Sequence, residues 1–576
     1  MKLTRVFSLL VLVCLIFGAA GCKKKVGALA DGDFTGDGEG RNGEITVSVT
    51  IEEGKVVDAK IVSEHETPEI ANPANEEIIR KFIQTGTTDG IDVVSGATLT
   101  SNGILEALDA ALDASAGKMK TLVPYEDTEC DIVIIGAGGA GLVAATEAAS
   151  NGASVIVLEK MGIVGGNSNF STGGINASYT KEQERLGIKD STDVFFEDTM
   201  KGGYFLNDPS LVRTLVEKSS AIVEWLQSDL IGADLSDVGM FGGATNKRIH
   251  RPQGGGAIGT HLVPRLHNAA RKQGADIRLR NKAVDILSDN GKPCGVRVSS
   301  STGEYTIKAK AVIIATGGFG ANADMVALYN PSLVGFDTTN HRGATGDAFK
   351  MVEKFDAALT QMPQIQTHPT VVPGTGIMIT EAVRGNGAIL VSRTGKRFVN
   401  EMETRDVVSA EILAQPGKTA FLVFDQSVRL SLKAIETYAQ QGLLVSGETP
   451  KELAEKLNIP VSDFENTIQS YNQYVKAGKD DDFKRNPGSM ERELSTSPFY
   501  AVECAPAIHH TMGGLKINSQ AQVLNSGDVP IPALFAAGEV TGGIHGGNRL
   551  GGNAVADYCV FGKIAADSAL DYIKNQ

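Results

Sequence analysis

A glycine motif that follows an apolar run is the first feature of the sequence that could do chemistry. Gly136, Gly138 and Gly141 form G-x-G-x-x-G directly after residues 132–135, and Glu159 ends the next apolar run. Glycines at this spacing permit a tight turn and bring a pyrophosphate close to a helix N-terminus, while the acidic residue accepts hydrogen bonds from ribose hydroxyls. Strand, turn, helix and acidic residue in this order predict a dinucleotide site.

Two further stretches combine glycines with small and hydroxyl side chains. They are GGNSNFSTGGINAS at 165–178 and GEVTGGIHGGNRLGGNA at 538–554. Their backbones can pack closely against a flat ring system. The second stretch contains Arg549 and leads into a helical pattern, whose N-terminus carries a partial positive charge suited to a flavin carbonyl. Glycine loops that only join two elements are the alternative.

From about residue 128 to its end, the chain resembles the flavoprotein superfamily of fumarate reductases and succinate dehydrogenases. The resemblance is strongest to the soluble flavocytochrome-type fumarate reductases and their urocanate- and other enoate-reducing relatives. The motifs that carry it are GAGGAG, GGNSNFSTGGINA, THPT, ITEAVRGNGAILV, GKRFVNE, TRD, HHTMGG and GEVTGGIHGGNRLGGNA. It implies a non-covalent FAD held by Gly136, Gly138, Gly139, Ala140, Gly141, Glu159, Lys160, Gly166, Asn167, Ser168, Thr172, Gly173, Gly174, Thr316, Gly317, Gly318, Asp347, Glu539, Arg549 and Ala554.

The same resemblance implies a binding site for an unsaturated dicarboxylate such as fumarate. His509 and Arg549 match the residues that hold one carboxylate, and His368 and Thr380 match those that hold the other. Arginine suits this role because its planar guanidinium binds a carboxylate through two parallel hydrogen bonds. Urocanate-reducing relatives replace the residues that match His368 and Glu381, whereas this chain keeps the fumarate-type residues at all seven site positions.

The resemblance also assigns the proton-transfer residues. Arg405 matches the proton donor, and Glu381 and Arg384 match the relay that returns a proton to it. Arginine has a pKa of roughly 12.5 to 13.8, far above that of an ordinary general acid at neutral pH. Hydride delivery to an alkene, however, leaves a carbanion-like centre that is more basic than guanidine, so donation is downhill. The i, i+3 spacing of Glu381 and Arg384 places them on one helical face.

The segment DVVSGATLTS, at residues 92–101, carries a second resemblance. Residues 32–116 resemble the FMN-binding domain found in subunits of the sodium-pumping NADH:quinone reductase, in which a flavin transferase joins FMN through its phosphate to a threonine hydroxyl. The family pattern is matched here by Asp92, Ser95, Gly96, Ala97 and Thr98. The resemblance implies a covalent FMN on Thr98, with Thr100 as the alternative, and a flavin transferase as a partner in maturation. An unmodified loop remains open.

The elements that must position these residues suggest several domains, with mixed α/β and α+β folds. Alternating apolar residues predict a hairpin at 45–62, and helical spacing follows on both sides of the DVVSGATLTS segment. Capping boxes are predicted to start two helices at Thr449 and Ser462. The predicted division is a small FMN-binding α+β domain at 28–116, a linker at 117–129, a Rossmann-like FAD-binding domain at 130–362 and 509–576, and an inserted α+β clamp domain at 363–508.

The first 22 residues have the pattern of a signal peptide. Lys2 and Arg5 precede a short apolar run, and small residues precede Cys22. The run is too short to remain as a membrane-spanning helix. The sequence Ala-Ala-Gly-Cys resembles a bacterial lipobox, so we expect an exported protein in which Cys22 carries lipid and anchors the chain to a membrane. An ordinary cleaved signal with an incidental cysteine is the alternative.

Composition excludes several classes of protein. The 576-residue chain has a formal charge of -14 and lacks an extended basic stripe, which argues against nucleic acid as a partner. Its six cysteines form no C-x-x-C, haem-attachment or zinc pattern, so no metal site is predicted. Without a haem domain, we expect electrons to pass from a membrane-associated or extracellular donor to FMN, then to FAD, then to the substrate.

The sequence therefore favours an exported fumarate reductase. Two alternatives stay open. One is a reductase of another α,β-unsaturated carboxylate, of the acrylate, methacrylate or urocanate type. The other is an electron-transfer flavoprotein without catalytic activity.

Overall fold

A computed structural model describes residues 29–64, 66–94, 96–118 and 123–576. The predicted signal peptide, Cys22 and Ser95 lie outside the described residues. Contacts divide the chain into two compact units, which are described separately. The predicted multidomain fold, with α/β and α+β parts, is confirmed.

The first unit is a small α+β domain. Its elements are β1 (Gly32–Glu39), β2 (Glu44–Glu52), β3 (Lys55–Ser63), α1 (Pro68–Thr85, of which the part from Ala71 belongs to this unit) and α2 (Thr98–Ser115). The strands form an antiparallel sheet in the order β1-β2-β3. The predicted hairpin is therefore confirmed, with its turn at Glu53 and Gly54, both of positive φ.

Strand β1 was not predicted, because glycine and aspartate are depleted in strands. Its glycines are explained by the close approach of α2. A Cβ added to Gly36 would lie 2.1 Å from the carbonyl oxygen of Ala107, and one added to Gly38 would lie 2.0 Å from that of Gly103. Side chains at these positions would push the helix off the sheet.

The end of the DVVSGATLTS segment is helical, although it was expected to be a loop. Helix α2 starts at Thr98, and Ala97 occupies the N-cap position without a side-chain cap. The Thr98 side chain is exposed, whereas Thr100 is completely buried. Thr98 therefore stands at a helix N-terminus, where backbone N–H groups favour an anionic group such as a phosphate.

The second unit contains all later elements. Its strands are β4 (Thr128–Ile135), β5 (Val155–Leu158), β6 (Ile175–Asn176), β7 (Asp237–Gly239), β8 (Ile249–Arg251), β9 (Asp276–Arg278), β10 (Lys282–Asp289), β11 (Lys292–Ser300), β12 (Gly303–Ile314), β13 (Leu359–Thr360), β14 (Ile365–Val371), β15 (Ile389–Val391), β16 (Ala420–Asp425), β17 (Val445–Gly447), β18 (Phe499–Thr511), β19 (Gly514–Lys516), β20 (Gln522–Leu524), β21 (Pro530–Ala536) and β22 (Thr541–Gly542).

The helices of the second unit surround these strands. They are α3 (Gly139–Ser150), α4 (Lys181–Arg185), α5 (Thr192–Gly202), α6 (Pro209–Gln227), α7 (Ile258–Lys272), α8 (Ala323–Tyr329), α9 (Asp347–Val352), α10 (Ala382–Gly385), α11 (Arg405–Leu413), α12 (Gln426–Leu430), α13 (Ala434–Gln440), α14 (Pro450–Leu457), α15 (Val461–Ala477) and α16 (Asn553–Lys574).

The largest sheet of the second unit is the predicted nucleotide-binding sheet. Its order is β10-β11-β12-β4-β5-β9, and β21 adds to β12. Strands β12, β4, β5, β9 and β21 are parallel, whereas β10 and β11 form an antiparallel extension. Apolar runs that are hundreds of residues apart in sequence thus become neighbours in one sheet, and the glycine motif falls at the carboxyl end of β4.

A second sheet supports the inserted part of the chain. Its order is β14-β18-β16-β15, with β17 paired to β18, and it has its own hydrophobic core with α11 to α15. Strand β18 runs from Phe499 to Thr511, across the boundary predicted at 508. The same strand therefore belongs to the inserted sheet and carries His509.

One of the two predicted capping boxes is wrong and one is incomplete. Helix α15 starts at Val461 with Pro460 at its N-cap position, so Ser462 lies within the first turn and no side chain caps the helix. Thr449 does cap α14 by accepting from the N–H of Glu452, but the Glu452 side chain accepts from Glu448 instead of completing the box.

No helix among the described residues is both long and apolar enough to cross a bilayer. In the same part of the chain, no group of three or more His, Cys, Asp or Glu side chains is arranged to hold a metal ion.

Candidate active site

The glycine turn after β4 makes room at the N-terminus of α3. Gly136 has φ +104°, and a Cβ there would lie 2.4 Å from the carbonyl oxygen of Ala315. Gly141 packs still closer, since its Cβ would lie 1.9 Å from the carbonyl oxygen of Gly136. Gly138 is the N-cap of α3, and a Cβ there would meet nothing nearer than 3.8 Å. The turn can therefore accept a phosphate at the helix N-terminus.

Two acidic residues flank this turn. Glu159 is buried at the end of β5 and accepts hydrogen bonds from the N–H groups of Ala137 at 3.0 Å and Met161 at 2.9 Å. Burial raises its pKa. Asp347 lies at the start of α9 and pairs with Nζ of Lys160 at 2.9 Å. Three residues predicted to hold the nucleotide, Glu159, Lys160 and Asp347, are thus linked at the end of β5, where carboxylates can accept from ribose hydroxyls.

A further group of predicted cofactor residues is linked by hydrogen bonds. Asn167 donates to Oε2 of Glu539 at 3.3 Å, and Oε1 of Glu539 accepts from the N–H of Thr511 at 3.0 Å. Ser168 accepts from the N–H of Gly139 at 3.1 Å, which ties the 3₁₀ turn Gly166–Phe170 to α3. Burial raises the pKa of Glu539.

Open space lies beside several of the predicted glycines. Gly166 and Gly317 have φ of +46° and +72°, and a Cβ on either would meet no atom within 4 Å. The hydroxyl of Thr316 is buried and has no hydrogen-bond partner among the described residues. Gly174 differs, because its Cβ would lie 2.2 Å from the carbonyl oxygen of His250. Packing against β8 therefore explains Gly174.

The remaining predicted cofactor residues lie on the same segments. Thr172 and Gly173 lie between the 3₁₀ turn and β6, Ala140 lies in the first turn of α3, and Ala554 lies in the first turn of α16. Gly318 packs against Thr511, whose hydroxyl would be 2.0 Å from an added Cβ. The glycine turn, the carboxylates, the unpartnered hydroxyl and the open space fit a flavin dinucleotide, which these residues would hold.

Two histidines from different strands contact each other edge to face. His368 lies on β14 and His509 on β18, with ring centroids 5.2 Å apart and an interplanar angle of 64°. Nδ1 of His509 is 2.7 Å from the hydroxyl of Thr339, whereas Nε2 of His368 is buried and unpartnered among the described residues. Burial, together with the charge of Arg405, lowers the pKa of both histidines well below the ordinary value. They are therefore neutral at pH 7.

Two buried arginines complete the group. Arg549 donates through Nη1 to the carbonyl of Leu550 at 3.1 Å, and its Nε has no partner among the described residues. Burial and the nearby charge of Arg405 lower the pKa of Arg549 to about 9. Arg405 is the first residue of α11 and donates through Nε to Oε2 of Glu381 at 3.0 Å. The excess of positive charge predicts an anionic ligand.

The three residues predicted to move protons lie in contact. Glu381 precedes α10 and also accepts from the N–H of Gly242 at 3.0 Å. Nη2 of Arg384 lies 3.8 Å from Oε2 of Glu381. Burial alone would raise the pKa of Glu381, but Arg405 and Arg384 outweigh it and the net shift is downward. Glu381 is therefore an ionised carboxylate between two guanidinium groups.

Thr380 lies next to this group and is itself buried. Its N–H donates to the hydroxyl of Tyr438 at 3.0 Å, which fixes the backbone beside Glu381. All seven residues predicted to bind or protonate the substrate are thus in the second unit, on β14, β18, α10, α11 and the segments before α10 and α16.

Gln366 is a site residue that sequence analysis missed. Its Oε1 accepts from Nη1 of Arg405 at 3.3 Å, while its Nε2 donates to Oδ1 of Asn548 at 2.6 Å and to the carbonyl of Arg549 at 2.8 Å. It therefore couples the two arginines. A signal was present, since Gln366 lies two residues before His368 on one strand and residues i and i+2 share a face.

Comparisons with known proteins agree with this geometry. The chain matches the FAD binding domain family over residues 131–555 and the FMN-binding domain family over residues 40–113. It is 47% identical over 446 residues to fumarate reductase (cytochrome) of Shewanella frigidimarina, covering 77% of each chain. It is 41% identical over 531 residues to NADH:fumarate oxidoreductase of Klebsiella pneumoniae (strain 342), covering 91% of this chain and 57% of that one.

A solved structure is similar as well. The open conformation of a flavocytochrome c3 fumarate reductase matches with a TM-score of 0.66 and 43% identity, covering 78% of this chain and 79% of that one. Fold and site together define a flavin-dependent oxidoreductase that reduces the carbon–carbon double bond of an enoate. Within that class, the chain belongs to the flavocytochrome-type fumarate reductase family, with an N-terminal FMN-binding domain; its cofactors are FAD and FMN.

Proposed function

We propose that this enoate reductase acts on fumarate and releases succinate. The observation that carries the proposal is the cluster of two neutral histidines and two arginines in which the buried Nε2 of His368 and Nε of Arg549 lack partners among the described residues. Buried polar groups are almost always hydrogen-bonded, so unpartnered ones indicate a ligand. A dicarboxylate supplies one acceptor group for each of these two nitrogens.

The residues of the chain bind, orient and protonate the substrate. His509 and Arg549 hold one carboxylate, and His368 and Thr380 hold the other. Bound FAD supplies the hydride for the substrate double bond. Arg405 donates the proton, because its guanidinium is already fixed by Glu381 and Gln366. Polarisation of the alkene by the surrounding cations assists the reaction.

Glu381 and Arg384 then return a proton to Arg405. Arg384 gives a proton to the ionised Glu381 carboxylate, which passes it to the neutral Arg405 side chain, and Arg384 then takes up a proton that comes from solvent. The contact distances of 3.0 Å and 3.8 Å between these groups support the order Arg384, Glu381, Arg405. The relay leaves no net charge change in the protein after each turnover.

A panel of enoates tests the substrate. Native holoenzyme would be assayed anaerobically with reduced methyl viologen against fumarate, acrylate, methacrylate and urocanate. We expect kcat/KM to be highest for fumarate. Strong turnover of a monocarboxylate without turnover of fumarate would contradict the proposal, and absence of all turnover would favour an electron-transfer flavoprotein.

The FMN of the first unit is proposed to be covalently attached to Thr98. The exposure of Thr98 supports this choice, because a flavin transferase must reach the hydroxyl, and Thr100 is buried. Intact-mass spectrometry of protein matured with a flavin transferase tests it. We expect Thr98→Val to lose the FMN mass and Thr100→Val to keep it; the reverse result would place FMN on Thr100.

Export and lipid anchoring at Cys22 are proposed from the sequence of the first 22 residues alone. The proposed donor of electrons is accordingly membrane-associated or extracellular, and it reduces FMN before FAD. Membrane fractionation of cells that express Cys22→Ser tests the anchor. We expect the variant to leave the membrane fraction, and unchanged membrane association would contradict a lipid at this position.

A further inference from the structure

Arg384 belongs to a closed ring of buried hydrogen bonds that includes two residues outside the substrate site. Its Nη1 donates to the main-chain carbonyl of Glu401 at 2.6 Å, and its own carbonyl accepts from Nη2 of Arg485 at 2.5 Å. Nη1 of Arg485 donates in turn to the carboxylate of Glu401 at 3.0 Å. None of these side chains is more than 1% exposed.

The ring fixes Arg384 at two points. Arg485 holds its backbone, and the Glu401 carbonyl holds its guanidinium. Arg485 is itself fixed, because it also donates to the carbonyls of Ala388 and Ser489 and to the hydroxyl of Ser489. Two nitrogens of Arg384, Nε and Nη2, have no hydrogen-bond partner among the described residues. Of these two, Nη2 is the one that approaches Glu381.

The charges behind Arg384 balance one another. Glu401 accepts two hydrogen bonds from Arg397, at 2.9 and 2.8 Å, besides the one from Arg485. Arg397 also donates to Asp480 at 3.0 Å. Two arginines and two carboxylates therefore form a neutral cluster, named here the clamp ion cluster (Arg397, Glu401, Asp480 and Arg485). Breaking such a buried pair on one side leaves an uncompensated charge.

We infer that Glu401 and Arg485 are positioning residues for proton delivery, which hold Arg384 in line with Glu381 and keep its surroundings electrically neutral. The inference rests on the proposed function, because it gives Glu401 and Arg485 a task only if Arg384 feeds the proton donor Arg405.

Charge compensation matters because Arg384 is buried among several ionisable groups. Burial is the main cause that lowers its pKa, and Glu381 and Glu401 oppose that shift. The charged or titratable groups that face it are Glu381, Arg405, Glu401, Arg485, His368 and Cys504. Removal of the Glu401 charge leaves Arg485 and Arg397 less compensated and lowers the pKa of Arg384 further. Arg384 is then harder to recharge as pH rises.

The first test compares Glu401→Gln with Asp190→Asn. Asp190 is a matched control, since it accepts two hydrogen bonds from Arg248, each at 3.0 Å, and both side chains are buried in the nucleotide-binding part. For Glu401→Gln we expect kcat for fumarate to fall about 10- to 100-fold, because a small misplacement in an oriented site costs that much. KM should change little, and the alkaline limb of the pH profile of kcat should move to lower pH. Asp190→Asn should lower the Tm without moving that limb.

A second variant separates geometry from charge. Arg485→Lys keeps the positive charge but cannot bridge Glu401 and the Arg384 carbonyl together. We expect kcat to fall, the solvent isotope effect on kcat to rise, and the alkaline limb to stay in place. A crystal structure of either variant should show the contact between Arg384 and Glu381 longer than 3.8 Å. If Glu401→Gln does not fold, Arg485→Lys decides.

The inference is overturned if the folded variants keep the native kcat, the native solvent isotope effect and the native position of Arg384. Failure of the proposed function is distinguishable, because the native enzyme would then not reduce fumarate at all. In that case the same comparison is made with the best enoate of the panel. If Glu401→Gln lowers kcat but does not move the alkaline limb of its pH profile, Glu401 only positions Arg384. The part of the inference that concerns charge compensation is then wrong.

Discussion

The substrate group (His368, Thr380, Glu381, Arg384, Arg405, His509 and Arg549) and the clamp ion cluster are both largely buried and rich in arginine, yet the pairing of their charges differs. In the clamp ion cluster, each carboxylate accepts from at least one arginine, and Arg485 uses every nitrogen. In the substrate group, His368 and Arg549 each retain a nitrogen without a partner among the described residues. Arg405 and Arg549 are neighbours there, and the carboxylates of Glu539, Glu381 and Asp557 offset only part of the lowering of the Arg549 pKa.

The difference teaches how to separate a binding site from a structural ion network. A satisfied network rigidifies the protein and has no need of a ligand. An unsatisfied, positively charged group carries a desolvation cost that a bound anion removes. Histidines kept neutral and an arginine with a lowered pKa are therefore the signature of the substrate group. Balanced charge is the signature of the clamp ion cluster, in which Nη1 of Arg397 is the atom left without a partner among the described residues.

The largest expected effect is on the proton donor. We expect Arg405→Ala to lower kcat for fumarate by about 10³-fold, within the range for loss of a general acid. The control variant Arg393→Ala removes an exposed arginine of the same domain. Its kcat should stay within about twofold of the native value, since surface pairs contribute little. Steady-state dye oxidation measures both. Full activity of Arg405→Ala would contradict the assignment of this residue.

The outer end of the clamp ion cluster should affect stability instead. Asp480→Asn leaves Arg397 with one carboxylate, and we expect the free energy of unfolding to fall by about 3 kcal/mol, as when a buried pair loses a partner. Activity of the folded protein should stay within about twofold of the native value. Chemical denaturation and the kinetic assay measure these quantities. A large loss of kcat with little loss of unfolding free energy would contradict the distinction between the two groups.

Replacement of Arg549 by lysine should weaken substrate binding. Lysine keeps the charge but cannot form two parallel hydrogen bonds to a carboxylate. We expect kcat/KM for fumarate to fall about 10-fold, which corresponds to about 1.4 kcal/mol. If Arg549→Lys leaves kcat/KM for fumarate unchanged, the assignment of Arg549 as a carboxylate ligand is wrong.

The smallest effect is a pH dependence. Because the pKa of Arg549 is lowered to about 9, its cation is present below that pH and is lost as the pH rises through it. We expect kcat/KM for fumarate, which reports the free enzyme, to decline above about pH 9. A bound carboxylate favours the Arg549 cation and moves its titration in the substrate complex to higher pH, which leaves Arg384 to set the alkaline limb of kcat. Equal alkaline limits for kcat and kcat/KM would contradict this account.

Much of this arrangement was predictable from sequence, because local motifs carry it. The glycine turn at Gly136 was predicted from spacing and fits the sheet end found in the structure. Strand β1 was missed because its glycines serve the packing of α2, which only the tertiary structure reveals. The start of α15 was misplaced because Pro460, and not Ser462, sets the helix entry.

The clamp ion cluster was beyond sequence analysis for a different reason. Glu401 and Arg485 are 84 residues apart, and nothing in the local pattern of either pairs them. Gln366 had a local signal in its spacing from His368, but its partners Arg405 and Asn548 come from distant segments, so its role in the site was missed. Motifs identify residues that share a local frame, whereas contacts between distant segments follow from the packing of β14, β18 and α11.

A crystal structure of the oxidised holoenzyme with fumarate tests the central claim most directly. The account predicts one carboxylate on His509 and Arg549, the other on His368 and Thr380, and the Arg405 guanidinium beside the alkene carbons. Fumarate bound outside this group, or held at only one carboxylate while the unpartnered nitrogens of His368 and Arg549 stay empty, would contradict it.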